Sequence, residues 1–349
     1  MASSVNLELA EWALERAKAH GATAAEVLCV VAESIAAGVR LGEVEKLKSS
    51  RDRRLGLRVF SGASSATSST AELERDSLET FIKHTADLAR LSAADPSAGL
   101  PDAGLHPRAI PELSLADPES GIIRADRALE IARAGEKAAL KSDSRIKNSE
   151  GAEFHSGHHQ VLFANSNGFS GEYSGTSYGL TVVPIAQDGD SMQVGYWYTA
   201  SRHFGKLEDA ESVGATAAKR ALRRLNARKI ATTRAPVVFD PDMAASLIRS
   251  IAGAASGPSL YKGASFLVGL LGNKIAAPSV TIVDDALIAG GLGSKPFDGE
   301  GLPTTRKSIV EKGTLASYLL DTYSARKLKL KSTGNAARSV GEAPTVSTT

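Results

Sequence analysis

The chain has one cysteine in 349 residues. An intrachain disulfide is therefore impossible, and stability must come from packing. That residue, Cys29, sits in the apolar run AAEVLCVVAES, where a buried, inert thiol is expected rather than a nucleophile. An excess of one charge is also missing. The 41 basic and 39 acidic residues leave a net +2, which argues against a large nucleic-acid footprint. Aromatic residues make up only 5%. No window reaches ~18 consecutive apolar residues, so no membrane span is expected. The first residues, MASSVNLELAEWALERA, lack a basic stretch followed by an apolar core. They read as an amphipathic helix, not a signal peptide, and a cytoplasmic location is the default expectation.

What is present fits a soluble chain of two or three domains. Apolar spacing predicts a helix over 6–20, ending near Gly21. Short β-rich runs follow: AEVLCVVAE, SIAAGVRLGEV, RLGLRVF and SSATSST, suited to antiparallel hairpins. Residues 75–91 read as a second helix, and the proline-rich stretch after it as a linker or surface connection. Helix is predicted again at about 122–140, β alternation from there to about 204, and an amphipathic helix at 207–228. Its acids come first and its bases last, which suits the helix dipole. The stretch APVVFDPDMAASLIRSIAGAASG reads as a strand and then a helix, with Asp240 as N-cap and Pro241 at the first position. SVTIVDD reads as a buried strand. RKSIVEKGTLASYLLD reads as a hairpin turning at Lys312-Gly313.

Three of the seven histidines cluster in FHSGHHQ. On a straight strand His155 and His159 lie ~13 Å apart and His158 points the other way. If Ser156-Gly157 turns, His155 and His158 become neighbours, yet two imidazoles fall short of the three or four ligands of zinc. A polar hairpin tip is the expectation. GTSYG matches the nucleophile elbow around Ser177, but a strand-like run follows where a helix is required. GGLGSK at 290–295 resembles a phosphate cradle, but Pro296 follows and the full pattern is absent. Asp284, Asp285, Asp298 and Glu300 could hold a cation; capping turns and facing water is the simpler reading.

Several blocks together, among them VEKLKSSRDRRLGLRVFSG, FANSNGFSGEYSGTSYGL and TIVDDALIAGGLGSKPFDGEGLPTTRKSIVEKGTLASYLLDTYSARKLKLKSTGNAAR, resemble the TldD/PmbA family over essentially the whole chain. The likeness is greater to the PmbA (TldE) branch. It implies a protease assembly acting on unfolded peptides and small proteins, linked to microcin maturation and antitoxin turnover; an older label is modulator of DNA gyrase. TldD-like subunits carry H-E-x-x-x-H on a helix, with two zinc-binding His and a Glu base. Aligned on Lys262-Gly263, this chain has Ile248, Arg249 and Gly253 at those positions. Isoleucine and glycine offer no ligand atom, and a guanidinium repels a cation. No cofactor is therefore expected in this chain, and zinc is expected in a TldD-like partner. The family continues past TGNAARS with a further sheet-forming segment, so the chain is expected to be short at that end, with a long open strand edge in the hairpin and SVTIVDD region.

The resemblance and the pattern together imply an α+β protein. Residues 1–100 would form a small sheet with flanking helices, 101–121 a linker, and 122–349 a larger curved antiparallel sheet with helices outside. The implied role is a non-metal subunit of a TldD/TldE-type peptidase complex. It would pair with a TldD-like, metal-bearing paralogue or with itself, and bind extended peptide by strand addition. No nucleic-acid or membrane partner is expected. The alternatives are a stand-alone regulatory or binding protein, and a self-sufficient metallopeptidase using His155, His158 and carboxylates.

Overall fold

The computed structural model describes residues 6–348. Helix α1 (Leu7–Ala19) starts where the Asn6 side chain accepts the Leu9 N–H. Three strands follow, β1 (Ala24–Arg40), β2 (Glu43–Ser61) and β3 (Ser64–Thr70), then α2 (Arg75–Leu91). The same order recurs: α3 (Ala125–Lys141), β4 (Ile146–Asn165), β5 (Ser170–Asp188), β6 (Ser191–Val194), β7 (Trp197–Ser201) and α4 (Ala210–Leu222). No sequence repeat announces this duplication of helix, strands, helix.

The α+β class holds, with antiparallel strands and helices outside. The two sheets expected are one. Strand β1 pairs antiparallel with β4, giving the order β3-β2-β1-β4-β5-β6, with β7 also paired to β5. Each of the two halves contributes one central strand to this junction. The runs AEVLCVVAE and SIAAGVRLGEV are not two strands: the second closes in the Leu41-Gly42 turn and enters β2, and everything before that turn belongs to β1, one strand of 17 residues. At about 3.3 Å per residue it is long enough to serve two cores. Val27 and Cys29 pack with Leu55, Leu57 and Leu162 under α1 and α2. Ten residues on, Ala37 and Val39 pack with Phe154, Leu180 and Val182 under α3 and α4. Both cores lie on one face of the sheet.

The α3–α4 contact is close because it is made by glycine. A Cβ on Gly214 would fall onto the Gly135 carbonyl oxygen of the facing helix. The opposite face of the sheet carries Glu26, Leu28, Val161, Phe163 and Tyr173. The C-terminal region packs here: Phe297 stacks edge-on against Phe169 and Tyr173. Arg338 donates to Glu26 at 2.6 Å, Arg58 approaches the same carboxylate at 3.5 Å, and all three residues are buried or nearly so.

Residues 101–121, the linker or surface connection of the sequence, are laid over the sheet. Leu113 and Leu115 are buried, Thr176 N–H donates to the Leu115 carbonyl, and Tyr178 O–H donates to those of Ser120 and Gly121. After α4 come α5 (Pro241–Ala254), α6 (Gly257–Tyr261), β8 (Ile282–Asp285), β9 (Arg306–Glu311), β10 (Thr314–Leu315), α7 (Thr322–Leu328), β11 (Ala336–Ala337) and β12 (Thr345–Val346). Strands β8–β10 form a separate sheet in the order β10-β9-β8. The turn at Lys312-Gly313 has both φ angles positive, 46° and 83°, as a tight two-residue hairpin requires.

Two strand expectations fail here. APVVFD forms no strand: among the described residues no backbone hydrogen bond joins it to another strand. The edge strand of the small sheet, β8, has only four residues, so the long open edge expected there is absent.

Candidate functional site

Helix α5 begins as its sequence requires. The Asp240 side chain accepts the Asp242 N–H, and Pro241 occupies the first turn. Ile248, Arg249 and Gly253 all lie on this helix and are exposed, with open space around the Gly253 Cα. No side chain at these positions can donate an electron pair to zinc, and the one polar group is cationic. The residues present at these three positions do not fit a zinc ion. Among the described residues no three His, Cys, Asp or Glu side chains gather as a metal-ligand set.

The histidines lie in the middle of β4, not at a hairpin tip. Ser156-Gly157 continues the strand, paired with Tyr178 and Ser177 of β5. His155 and His159 therefore share one face and His158 takes the other. Opposite His159 stands Gly175, and opposite His155 stands Gly179. Each imidazole lies across its glycine: a Cβ on Gly175 would come within 2.7 Å of His159 Cε1, and one on Gly179 would strike the His155 ring. The glycines that imitate a nucleophile elbow are thus seats for histidine rings, and Ser177 between them is in mid-strand. Burial, Arg202 and His158 lower His159 to about 4, so it is neutral at pH 7. The spacing of Gly175 and Gly179, matched by His155 and His159 on the facing strand, is a signal available in the sequence.

Loop 290–295 is not a phosphate cradle. It presents carbonyl oxygens, not N–H groups: Arg202 donates to those of Gly291 and Leu292. The acidic group near it differs from expectation. Asp285 is partly exposed and pairs with Arg306, but Asp284, Asp298 and Glu300 are buried rather than facing water. They do cap turns. Asp298 accepts N–H groups from Glu300, Leu302 and Ala336, and Glu300 accepts that of Thr322 at the start of α7. Asp284 accepts from Lys307 and Asn335. Burial, then the charge of Asp298, pushes Glu300 up to about 8. With their oxygens turned to protein donors, these carboxylates serve architecture rather than cation binding. Cys29 is buried and its thiol is pushed up to about 12, which removes it as a nucleophile.

The class of protein is a metallopeptidase family, shown by three profiles that match successive parts of the chain. Profiles described as PmbA/TldA metallopeptidase domain 1, central domain and C-terminal domain match residues 25–104, 119–225 and 232–349. The chain belongs to the PmbA/TldD family. The Metalloprotease PmbA of Escherichia coli O157:H7 is 37% identical over 312 residues, 89% of this chain and 69% of that protein. The Metalloprotease PmbA homolog of Haemophilus influenzae is 35% identical over 325 residues, 93% of this chain and 71% of that protein. A Bacteroides thetaiotaomicron structure described as a candidate modulator of DNA gyrase is 31% identical, with a TM-score of 0.89 over 95% of this chain and 76% of that one. TldE of Thermococcus kodakarensis, 20% identical with a TM-score of 0.82 over 97% of this chain and 76% of that one, shares the fold. No helix among the described residues is long and apolar enough to cross a membrane.

Proposed function

We propose that this chain is the non-metal subunit of a TldD/TldE-type peptidase complex, acting in the cytoplasm on unfolded peptides or small proteins. One observation carries the reading. The chain matches all three domains of a metallopeptidase family, and aligned on Lys262-Gly263 its helix α5 offers Ile248, Arg249 and Gly253, none with a zinc-ligand atom, at the positions expected to carry the ligands and base of a TldD-like subunit. Peptide hydrolysis needs an activated nucleophile. The buried Cys29, the mid-strand Ser177 and the exposed α5 positions supply none. The remaining role is to hold extended polypeptide through backbone pairing and to complete a chamber with a TldD-like paralogue that brings the zinc.

The test is assembly and metal content. The chain is purified alone and together with a TldD-like subunit, and each product is sized and analysed for zinc. A stoichiometric heteromer whose zinc follows the TldD-like subunit is expected. One zinc per copy of this chain in isolation would overturn the reading.

A further inference from the structure

On the sheet face away from the helices, buried cations outnumber the acids that pair with them. Glu26 is one carboxylate shared by two guanidiniums, Arg338 at 2.6 Å and Arg58 at 3.5 Å. The Arg338 side chain is 4% exposed and lies over the Phe163 ring. Its Nη1 donates to Glu26, but its Nε and Nη2 are buried with no partner among the described residues, as is the Nε of Arg58. A buried charged donor without an acceptor is costly. Lys295 adds a third cation: its ammonium donates to the Ala336 carbonyl and makes no ion pair among the described residues. The acids whose charge reaches Lys295 are Asp298 and Asp284. Asp298 accepts three backbone N–H groups, and Asp284 accepts from Lys307 and Asn335.

Arg338 and Lys295 both line a cavity of about 150 Å³ between this face and the C-terminal region. Most of the remaining wall is hydrocarbon, including Leu28, Val161, Phe163 and Phe297. The unpartnered nitrogens are buried within the fold, so the missing acceptor is a matter of the interior and not of an open surface. A void of this size admits about six non-hydrogen atoms. Water would accept from the donors but would leave the positive charge uncompensated and meet few other polar groups. Phosphate would leave oxygens against hydrocarbon. A carboxylate matches the planar guanidinium, and a hydrocarbon body matches the rest of the wall.

We propose that this cavity binds a small apolar carboxylate, with its carboxyl group beside Arg338 and Lys295 and its hydrocarbon body against Leu28, Val161 and Phe297. Two sources offer this chemistry: a free branched-chain acid, and the C-terminal carboxylate of a peptide that ends in a small apolar residue. The site goes beyond the peptidase reading and does not depend on it.

The probes are isobutyrate and its uncharged isostere isobutyramide, and the peptide Gly-Gly-Val with a free or an amidated C-terminus. Each is titrated against the full-length protein by calorimetry and by the rise in melting temperature. At least one carboxylate should bind about tenfold or more tightly than its amide, the effect of hydrogen bonds to a charged group. Isobutyrate binding without the peptide identifies a free acid as the ligand, and peptide binding without isobutyrate identifies a chain end; either supports the site. Val161→Phe fills the cavity without touching a charge, and should weaken binding about tenfold or more. Lys295→Met keeps the length of the side chain and removes its charge, and should narrow the preference for carboxylate over amide. A melting temperature near that of the parent confirms that each variant is folded, and one folded variant of the two is enough for the test. The proposal is overturned if no carboxylate binds, if each carboxylate binds no better than its amide, or if a folded variant binds and discriminates as the parent does. Activity of the two-subunit mixture bears only on the peptidase reading, so the two can fail separately.

Discussion

Glu300→Gln should stabilise this protein, and by an amount that grows with pH. Glu300 is buried, and its nearest charged neighbours, Asp298 and Asp321, repel a second negative charge. Together with burial they raise it from 4.5 to about 8. A carboxyl raised on folding binds its proton more tightly in the native state than in the unfolded one. Its contribution is fully present below 4.5 and is lost as pH rises through about 8. At about 1.4 kcal/mol per pH unit, the loss by pH 7 reaches at most about 3 kcal/mol. Glutamine has the same shape, keeps an oxygen for the Thr322 N–H, and never ionises. Urea titrations of both proteins at a series of pH values from 5 to 9 read the difference directly. The two midpoints should nearly coincide at the acidic end and separate steadily toward pH 8, with the variant higher. Parallel pH curves would refute the reasoning, because they would mean that Glu300 is already ionised in the fold or reaches solvent.

Two further outcomes follow from packing and charge. Glu26→Gln leaves Arg58 and Arg338 buried without their common carboxylate, and should cost about 3–5 kcal/mol in chemical denaturation; Glu79→Gln, which breaks a solvent-screened pair with Arg16, should cost far less, and equal losses would contradict the burial argument. Gly214→Ala pushes a methyl group into the Gly135 carbonyl and should lower stability by about 1–3 kcal/mol or more, whereas helix propensity alone would predict a gain; an unchanged or raised melting temperature would show that α3 and α4 can move apart freely.

Local signals in the sequence were reliable where the chain itself decides the conformation. The limits of α2, the Asp240-Pro241 start of α5 and the Lys312-Gly313 turn all depend on residues within a few positions of each other. The pairing of β1 with β4 depends on residues more than a hundred positions apart, and nothing in either strand names the other. The outer half of β2, residues 43–52, is exposed along its length and so shows no apolar alternation. It is a strand because β1 offers it a ladder. The reverse holds for 235–239, which has a strand's composition but no ladder in the described residues. Acidic residues were the hardest to place. Asp298 and Glu300 sit in a polar, glycine-rich stretch typical of surface turns, and only the approach of Ala336 and Thr322 from distant segments buries them. Ile248, Arg249 and Gly253 fall on one helix as their local sequence indicates, since helix periodicity needs no distant partner.

The central claim, that this chain contributes binding surface and not a catalytic centre, is tested most directly by one degradation assay. An unfolded polypeptide is incubated with this chain alone, with a TldD-like subunit alone, and with both, each with and without a chelator. Cleavage should be substantial only in the mixture and should stop when metal is removed. Cleavage by this chain alone at a rate comparable to the mixture, and persisting in chelator, would contradict the account and require a nucleophile other than zinc-activated water.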